Sequence, residues 1–336
     1  MSIPERIDVH THFVPPEWRN TCEEMGFGKP DGMPAIPEWS EEAHLNAMHE
    51  VGISKAILSI TSPGTHLDYS DDALARRLTR DCNVFAAEMK SRRPDKFGFW
   101  ASLPLPDIQG SLDEIAFALD ELNADGFGLL TNYHGVYLGD KVFDPVFAML
   151  DERKAIVHVH PTGPCMGSAI TQSAPQAALP LPEYPSPMFE FLFEEGRAMI
   201  NLFLHETVTR YPNITYIISH CGGTFPPLVE RFAKFAEAIL HIGVGMDTQT
   251  VAATLQRQFY FDLAGFPFPD QLFGLLRLVD YQRILYGSDF PYTPLDSVME
   301  LADTLNTEIP KTFSEEEMKA IYHGNAARLL CDSKKS

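Results

Sequence analysis

The chain has 336 residues, 45% hydrophobic and 21% charged, the balance of a globular protein with a large core. Its formal net charge of −20 at pH 7 argues against nucleic acid or an anionic membrane as partner, because both repel an acidic surface. No apolar run approaches the length that spans a bilayer.

Strand-like and helix-like segments alternate along the chain. Ile7–Phe13 reads as the first strand, Glu41–Val51 as a helix, Ala56–Thr61 as the second strand and Asp71–Arg93 as a long helix. Phe97–Leu103 (strand), Leu112–Leu122 (helix), Gly126–Thr131 (strand) and Phe143–Arg153 (helix) continue the alternation. Ala155–His160, Ile214–His220, Phe259–Leu263 and Ile284–Tyr286 read as the remaining strands, separated by helices over Met188–Tyr211, Pro226–His241 and Asp270–Val279. Leu295–Asn306 and Ser314–Leu330 close the chain as helices. Apolar strands alternating with helices imply a parallel sheet covered on both faces. Eight such units predict an α/β fold, a (β/α)8 TIM barrel with an extra C-terminal helix, as one domain over residues 1–336. No GxGxxG follows the first strand, which disfavours a dinucleotide fold. Met25–Ser40 and Pro161–Pro187 are long loops at the C-terminal face, where lids are expected.

The first strand starts almost at once, with no basic or apolar leader, so no secretory signal is expected. Cys22, Cys82, Cys165, Cys221 and Cys331 are scattered without CxxC spacing and read as reduced thiols, placing the protein in the cytoplasm.

In such a barrel the chemistry lies at the C-terminal ends of the strands. Strand one supplies His10 and His12, whose i, i+2 spacing puts both imidazoles on one face. Strand five supplies His160, strand six His220 and strand eight Asp289. A carboxylate at a buried strand end is costly unless a cation or metal pairs with it. His158 shares a face with His160 but lies deeper, and reads as a buried, satisfied histidine. His44, His49 and His241 fall on helices and His66 and His134 in loops, where surface or structural roles are expected.

These residues resemble the amidohydrolase superfamily, in its branch typified by aminocarboxymuconate-semialdehyde decarboxylase. The resemblance spans nearly the whole chain and rests on Asp8-Val9-His10-Thr11-His12, Val159-His160-Pro161, the run Ser219–Pro226, Gly287-Ser288-Asp289-Phe290-Pro291 and the run Gly324–Leu329. The segments Pro30–Pro34 and Ser59–Thr65 are closest in appearance to 6-methylsalicylate and isoorotate decarboxylases. The resemblance implies that His10, His12, His160 and Asp289 bind one divalent metal, with His220 catalytic beside them. It implies a substrate-carboxylate contact by Arg231, reaching the neighbouring subunit's site in a homodimer. Binuclear amidohydrolases carry a carboxylated lysine on strand four; Gly126–Asn132 has none, so a single metal is expected.

Three imidazoles and a carboxylate suit Zn²⁺, with Mn²⁺ as the alternative. The expected activity is that of a carboxy-lyase: metal-dependent, non-oxidative decarboxylation of a 2-hydroxybenzoate-like acid of the 6-methylsalicylate type. Protonation of the ring carbon that bears the carboxylate would precede loss of CO2, with Asp289 or a metal-acidified water as donor and His220 positioning the substrate or shuttling the proton. Phe13 and Phe290 flank the ligands, where they either hold the aromatic ring or belong to the core. The alternative activity is metal-assisted hydrolysis of a lactone or amide by the same site.

Overall fold

A computed structural model describes residues 4–166, 176–242 and 247–332. Eight strands follow one another in chain order: β1 (Arg6–His12), β2 (Ile53–Ser59), β3 (Phe97–Ser102), β4 (Gly126–Leu130), β5 (Ile156–His160), β6 (Thr215–Ile218), β7 (Phe259–Asp262) and β8 (Ile284–Leu285). Each is parallel to the next. Beyond β8 the Val9 amide donates to Tyr286 O (3.1 Å) and the Asp289 amide to His10 O (2.8 Å), joining the last strand to the first. The sequence pattern's barrel is therefore the observed one, with helices outside it. No helix among the described residues is long and apolar enough to cross a membrane.

The barrel interior is layered. At its N-terminal end Ile7, Val9, Ile57, Ile156, Ile217 and Leu285 meet, and Ala326, Leu329 and Leu330 of the last helix, Asn325–Asp332, plug that opening. Asn325 fixes the plug, its Nδ2 donating to Tyr281 O (2.8 Å) and Ile284 O (2.9 Å). The run Gly324–Leu329 thus has a structural task at the face opposite the chemistry. Above the apolar layer a register shift in β1 pairs Asp8 with Ala56 but Thr11 with Leu58, one residue more on β1 than on β2. Such a bulge re-aims side chains. Here it turns His10 and His12 into the same interior that Ile7 and Val9 fill below, and the Trp100 indole donates to the Val9 carbonyl (2.8 Å).

Several boundaries differ from the sequence pattern. The helix expected over Met188–Tyr211 is two, Glu190–Leu204 and Thr207–Arg210, because Glu206 takes a left-handed conformation (φ 58°). The helix expected to reach His241 ends earlier, in a widened turn over Phe235–Ile239, and His241 lies beyond it at φ 53°. Helices Pro16–Glu24 and Thr248–Gln258 are additional to the expected elements. Of the Pro161–Pro187 loop, residues 167–175 lie outside the described residues.

Near the N-terminal end of β4 the Asp125 carboxylate is buried. It accepts from Lys90 Nζ (2.7 Å) and the Phe99 amide (3.0 Å), clamping helix Asp72–Arg92 to the sheet. Removing one partner of a buried pair strands the other charge. Lys90→Ala should cost about 3–5 kcal/mol in urea denaturation; a loss below about 1 kcal/mol, the scale of a surface pair, would contradict a buried clamp.

Candidate active site

His10 and His12 project from β1, His160 ends β5, and Asp289 follows β8 in a left-handed turn (φ 60°). One donor atom from each of the four lies within 4.8 Å of the others. The imidazoles stand edge-on, with ring centroids 5.1 Å apart for His10–His12 and 4.8 Å for His12–His160.

Each imidazole is held from behind at Nδ1. His10 Nδ1 lies 3.0 Å from Asp262 Oδ2, His12 Nδ1 3.3 Å from Ser59 O, and His160 Nδ1 2.7 Å from Pro161 O. A carboxylate or carbonyl oxygen only accepts, so Nδ1 carries the proton and each Nε2 lone pair is left for the site. His10 Nε2 is buried without a hydrogen-bond partner, 3.4 Å from Asp289 Oδ1. An orphaned imidazole nitrogen beside a carboxylate is what a divalent cation satisfies. The donor set fits such an ion.

The electrostatics agree. Burial opposes a charge on His10, but Asp262 and Asp289 on either side outweigh it and raise its pKa well above the usual histidine value. Burial pushes both aspartates up, yet the histidines around them hold both far below the ordinary carboxylate range. Burial, then the neighbouring His12 and His10, drive His160 well below its usual value. Two carboxylates in a dry site demand positive charge between them.

His220 follows β6 in a tight turn (φ 49°), its ring centroid 5.0 Å from that of His10. Its Nδ1 lies 2.6 Å from Glu195 Oε1, from helix Glu190–Leu204. Burial pushes Glu195 up to about 7 against the pull of His220. Burial would lower His220, but Glu195 reverses the balance and raises it. Glycine at 223 makes the pairing fit: a Cβ there would lie 2.4 Å from Glu195 Oε2. Gly265 plays the same part on the other side, where a Cβ would sit 2.7 Å from His220 Cδ2.

His160, His220 and Asp289 line one wall of a cavity of about 460 Å³, whose other walls include Met33, Phe191, Leu192, Phe266 and Tyr292. No lysine or arginine is among its described lining residues. Phe13 instead stacks on Phe85 (6.1 Å) and Phe290 packs edge-on against His44 (5.3 Å), so both belong to the surrounding core. Arg231 is exposed on the outer face of helix Phe225–Lys234, over the Phe235 ring (5.0 Å), and does not line its own chain's cavity. His158 lies a layer deeper, 3.5 Å from Asp262 Oδ2, with Nδ1 unpartnered. Cys221 is fully buried, and burial raises its thiol well above the usual value.

Two functional residues escape the sequence pattern. Asp262 ends β7 as Asp289 follows β8, and the same rule for a carboxylate at a buried strand end applies to it. Glu195, on helix Glu190–Leu204, gives a weaker signal, because the adjacent Glu194 is also buried yet serves Asn132, Tyr137 and Arg197.

Residues 7–330 match the family described as amidohydrolase. The 6-methylsalicylic acid decarboxylase of Penicillium expansum is 35% identical over 97% of this chain and 96% of its own length. The crystal structure of an amidohydrolase, 33% identical, superposes with a TM-score of 0.86 over 97% of this chain and 100% of that one. The dihydroxybenzoic acid decarboxylase of Polaromonas sp. JS666, with bound manganese and the inhibitor 2-nitroresorcinol, has a TM-score of 0.77 at 20% identity, covering 98% of this chain and 97% of its own.

Because Asp262 fixes the tautomer of His10, Asp262→Asn should weaken binding of a divalent ion about 10- to 100-fold. Metal titration of the stripped protein measures this, and an unchanged affinity would contradict the role given to Asp262.

Proposed function

The chain belongs to the amidohydrolase family, and on that premise we propose that it is a metal-dependent carboxy-lyase for a 2-hydroxybenzoate-like acid of the 6-methylsalicylate type. The observation that carries this is a group of three histidines and Asp289 able to hold a cation, and a Glu195–His220 pair, at one cavity with apolar and aromatic walls. Similarity along nearly the whole chain to a 6-methylsalicylic acid decarboxylase supports the substrate class.

His10, His12, His160 and Asp289 would hold the ion. When bound, it supplies Lewis-acid charge for the oxygens of the acid. Three imidazoles and a carboxylate favour Zn²⁺; manganese, present in the Polaromonas enzyme, is the alternative. Phe191, Phe266 and Tyr292 border the space for a planar ring and exclude water from it. Asp289 lies within 3.4 Å of His10 Nε2 and 3.0 Å of His12 Nε2, and the histidines around it hold it in its carboxylate form, which suits a role in holding charge. His220, backed by the Glu195 carboxylate, is the better proton donor. It would give a proton to the ring carbon bearing the carboxylate. The carbon–carbon electron pair then returns to the ring as CO2 departs, and His220 regains its proton from solvent.

With no lysine or arginine in the described lining, a cationic contact to the substrate carboxylate would come from the metal or from another chain. Arg231 is the candidate. Leu228, Phe235 and Ile239 are exposed on the same helical face, at spacings of three, four and four residues around it. Such a stripe fits a homodimer interface. Ile239→Asp should convert a dimer to a monomer in light scattering; an unchanged mass would remove this face from the interface.

The activity is tested by CO2 release from a panel of salicylates. His12→Ala should lose metal and activity together. His220→Ala should keep the metal while kcat falls about 10²- to 10⁴-fold. Consumption of the acid by water without CO2 would replace this proposal with a hydrolase.

A further inference from the structure

A second cavity, of about 650 Å³, lies beside the reaction cavity at the same end of the barrel. It is bordered by the loops that follow β1, β2, β4 and β5, and Asp31 lines both spaces. The partition is thin. Ser62 on the reaction side has its hydroxyl 2.6 Å from that of Thr162 on the far side, and Asp31 Oδ1 accepts from the Gly163 amide (3.1 Å). The volume is that of small-molecule sites, about 300–1,000 Å³.

The chemistry of its walls is specific. Phe27, Leu67 and Leu130 give apolar surface. Ser186, which also lines it, is 1% exposed, and its hydroxyl has no hydrogen-bond partner. His66, a buried residue of the same lining, lies between Asp72 and His134: Nε2 is 3.1 Å from Asp72 Oδ1, and Nδ1 is 3.0 Å from His134 Nε2. A carboxylate only accepts, so His66 donates from Nε2 and accepts at Nδ1 from His134. His134 Nδ1 is thereby fixed as an acceptor. The cavity so offers a hydroxyl that lacks a partner and an imidazole acceptor. Its charged lining residues, among those described, are Asp31 and Asp68, with no lysine or arginine. Such a lining repels an arylcarboxylate and accepts a neutral phenol.

Decarboxylation makes that conversion, from an anionic acid to a neutral phenol. We infer that the second cavity is a binding site for the phenol product, in which Ser186 and His134 meet its hydroxyl and the ring rests on the apolar wall. The assignment rests on the decarboxylase function proposed above. For 2-hydroxy-6-methylbenzoate the product is 3-methylphenol.

The test is calorimetric binding of 3-methylphenol to the metal-loaded protein, with and without benzoate saturating the reaction cavity. Binding should persist beside benzoate. His134→Phe and Ser186→Ala should each weaken that binding about tenfold, while kcat for CO2 release stays at the parent value. Complete displacement by benzoate, or an unchanged affinity in both variants, would overturn the inference. A parent protein that releases no CO2 yet binds the phenol beside benzoate would overturn the decarboxylase function, and with it the phenol's role as product, while the second cavity would stand as a phenol site.

Discussion

The buried carboxylate of Asp262 is the point on which the site depends. One oxygen lies 3.0 Å from His10 Nδ1, and the other accepts the amides of His220 (3.0 Å) and Ala264 (3.1 Å). A single charge at the end of β7 therefore sets the tautomer of a candidate metal ligand and the backbone of the turn that presents the candidate acid. Burying such a charge is costly unless it is paired and fully hydrogen-bonded. The interactions that satisfy it are those that build the site, so stability and chemistry share one set of contacts.

The rest of the barrel isolates that charge from water. Below it lie Trp100 and His158, stacked 6.4 Å apart, then the apolar layer, then the plug formed by the last helix. Above it His160, His220 and Asp289 face the reaction cavity. The bulge in β1 makes the change of layer: Ile7 and Val9 fill the interior below it, His10 and His12 above. A second carboxylate, Asp8, holds the other end of the closure. It accepts from the hydroxyl (2.5 Å) and amide (3.1 Å) of Ser288, beside Asp289. The positions of His10 and Asp289 thus follow from how the first and last strands are joined.

Much of this was legible in the sequence, for physical reasons that differ by element. The eight strands show as apolar runs because both faces of a parallel barrel are buried. The candidate ligand set shows because His10, His12 and His160 occupy strand ends and Asp289 follows one, at positions that hydrophobic periodicity locates. Glu195 does not show in the same way, since it approaches His220 from a helix in another unit and depends on glycine at 223. Phe290 adjoins Asp289 in sequence, but the turn directs its ring at His44, and Phe191, Phe266 and Tyr292 border the cavity instead. Which side chains face a cavity is decided by loop conformation, and hydrophobic periodicity does not report it.

The proposed reaction protonates a ring carbon and releases the carboxyl group attached to it. The most direct measurement is turnover of 2-hydroxy-6-methylbenzoate in deuterated water, with the product followed by NMR. The proposed reaction gives CO2 and 3-methylphenol with one deuterium on the ring, at the carbon that had borne the carboxyl group. A product that keeps its carboxyl group, or 3-methylphenol without deuterium at that carbon, would contradict it.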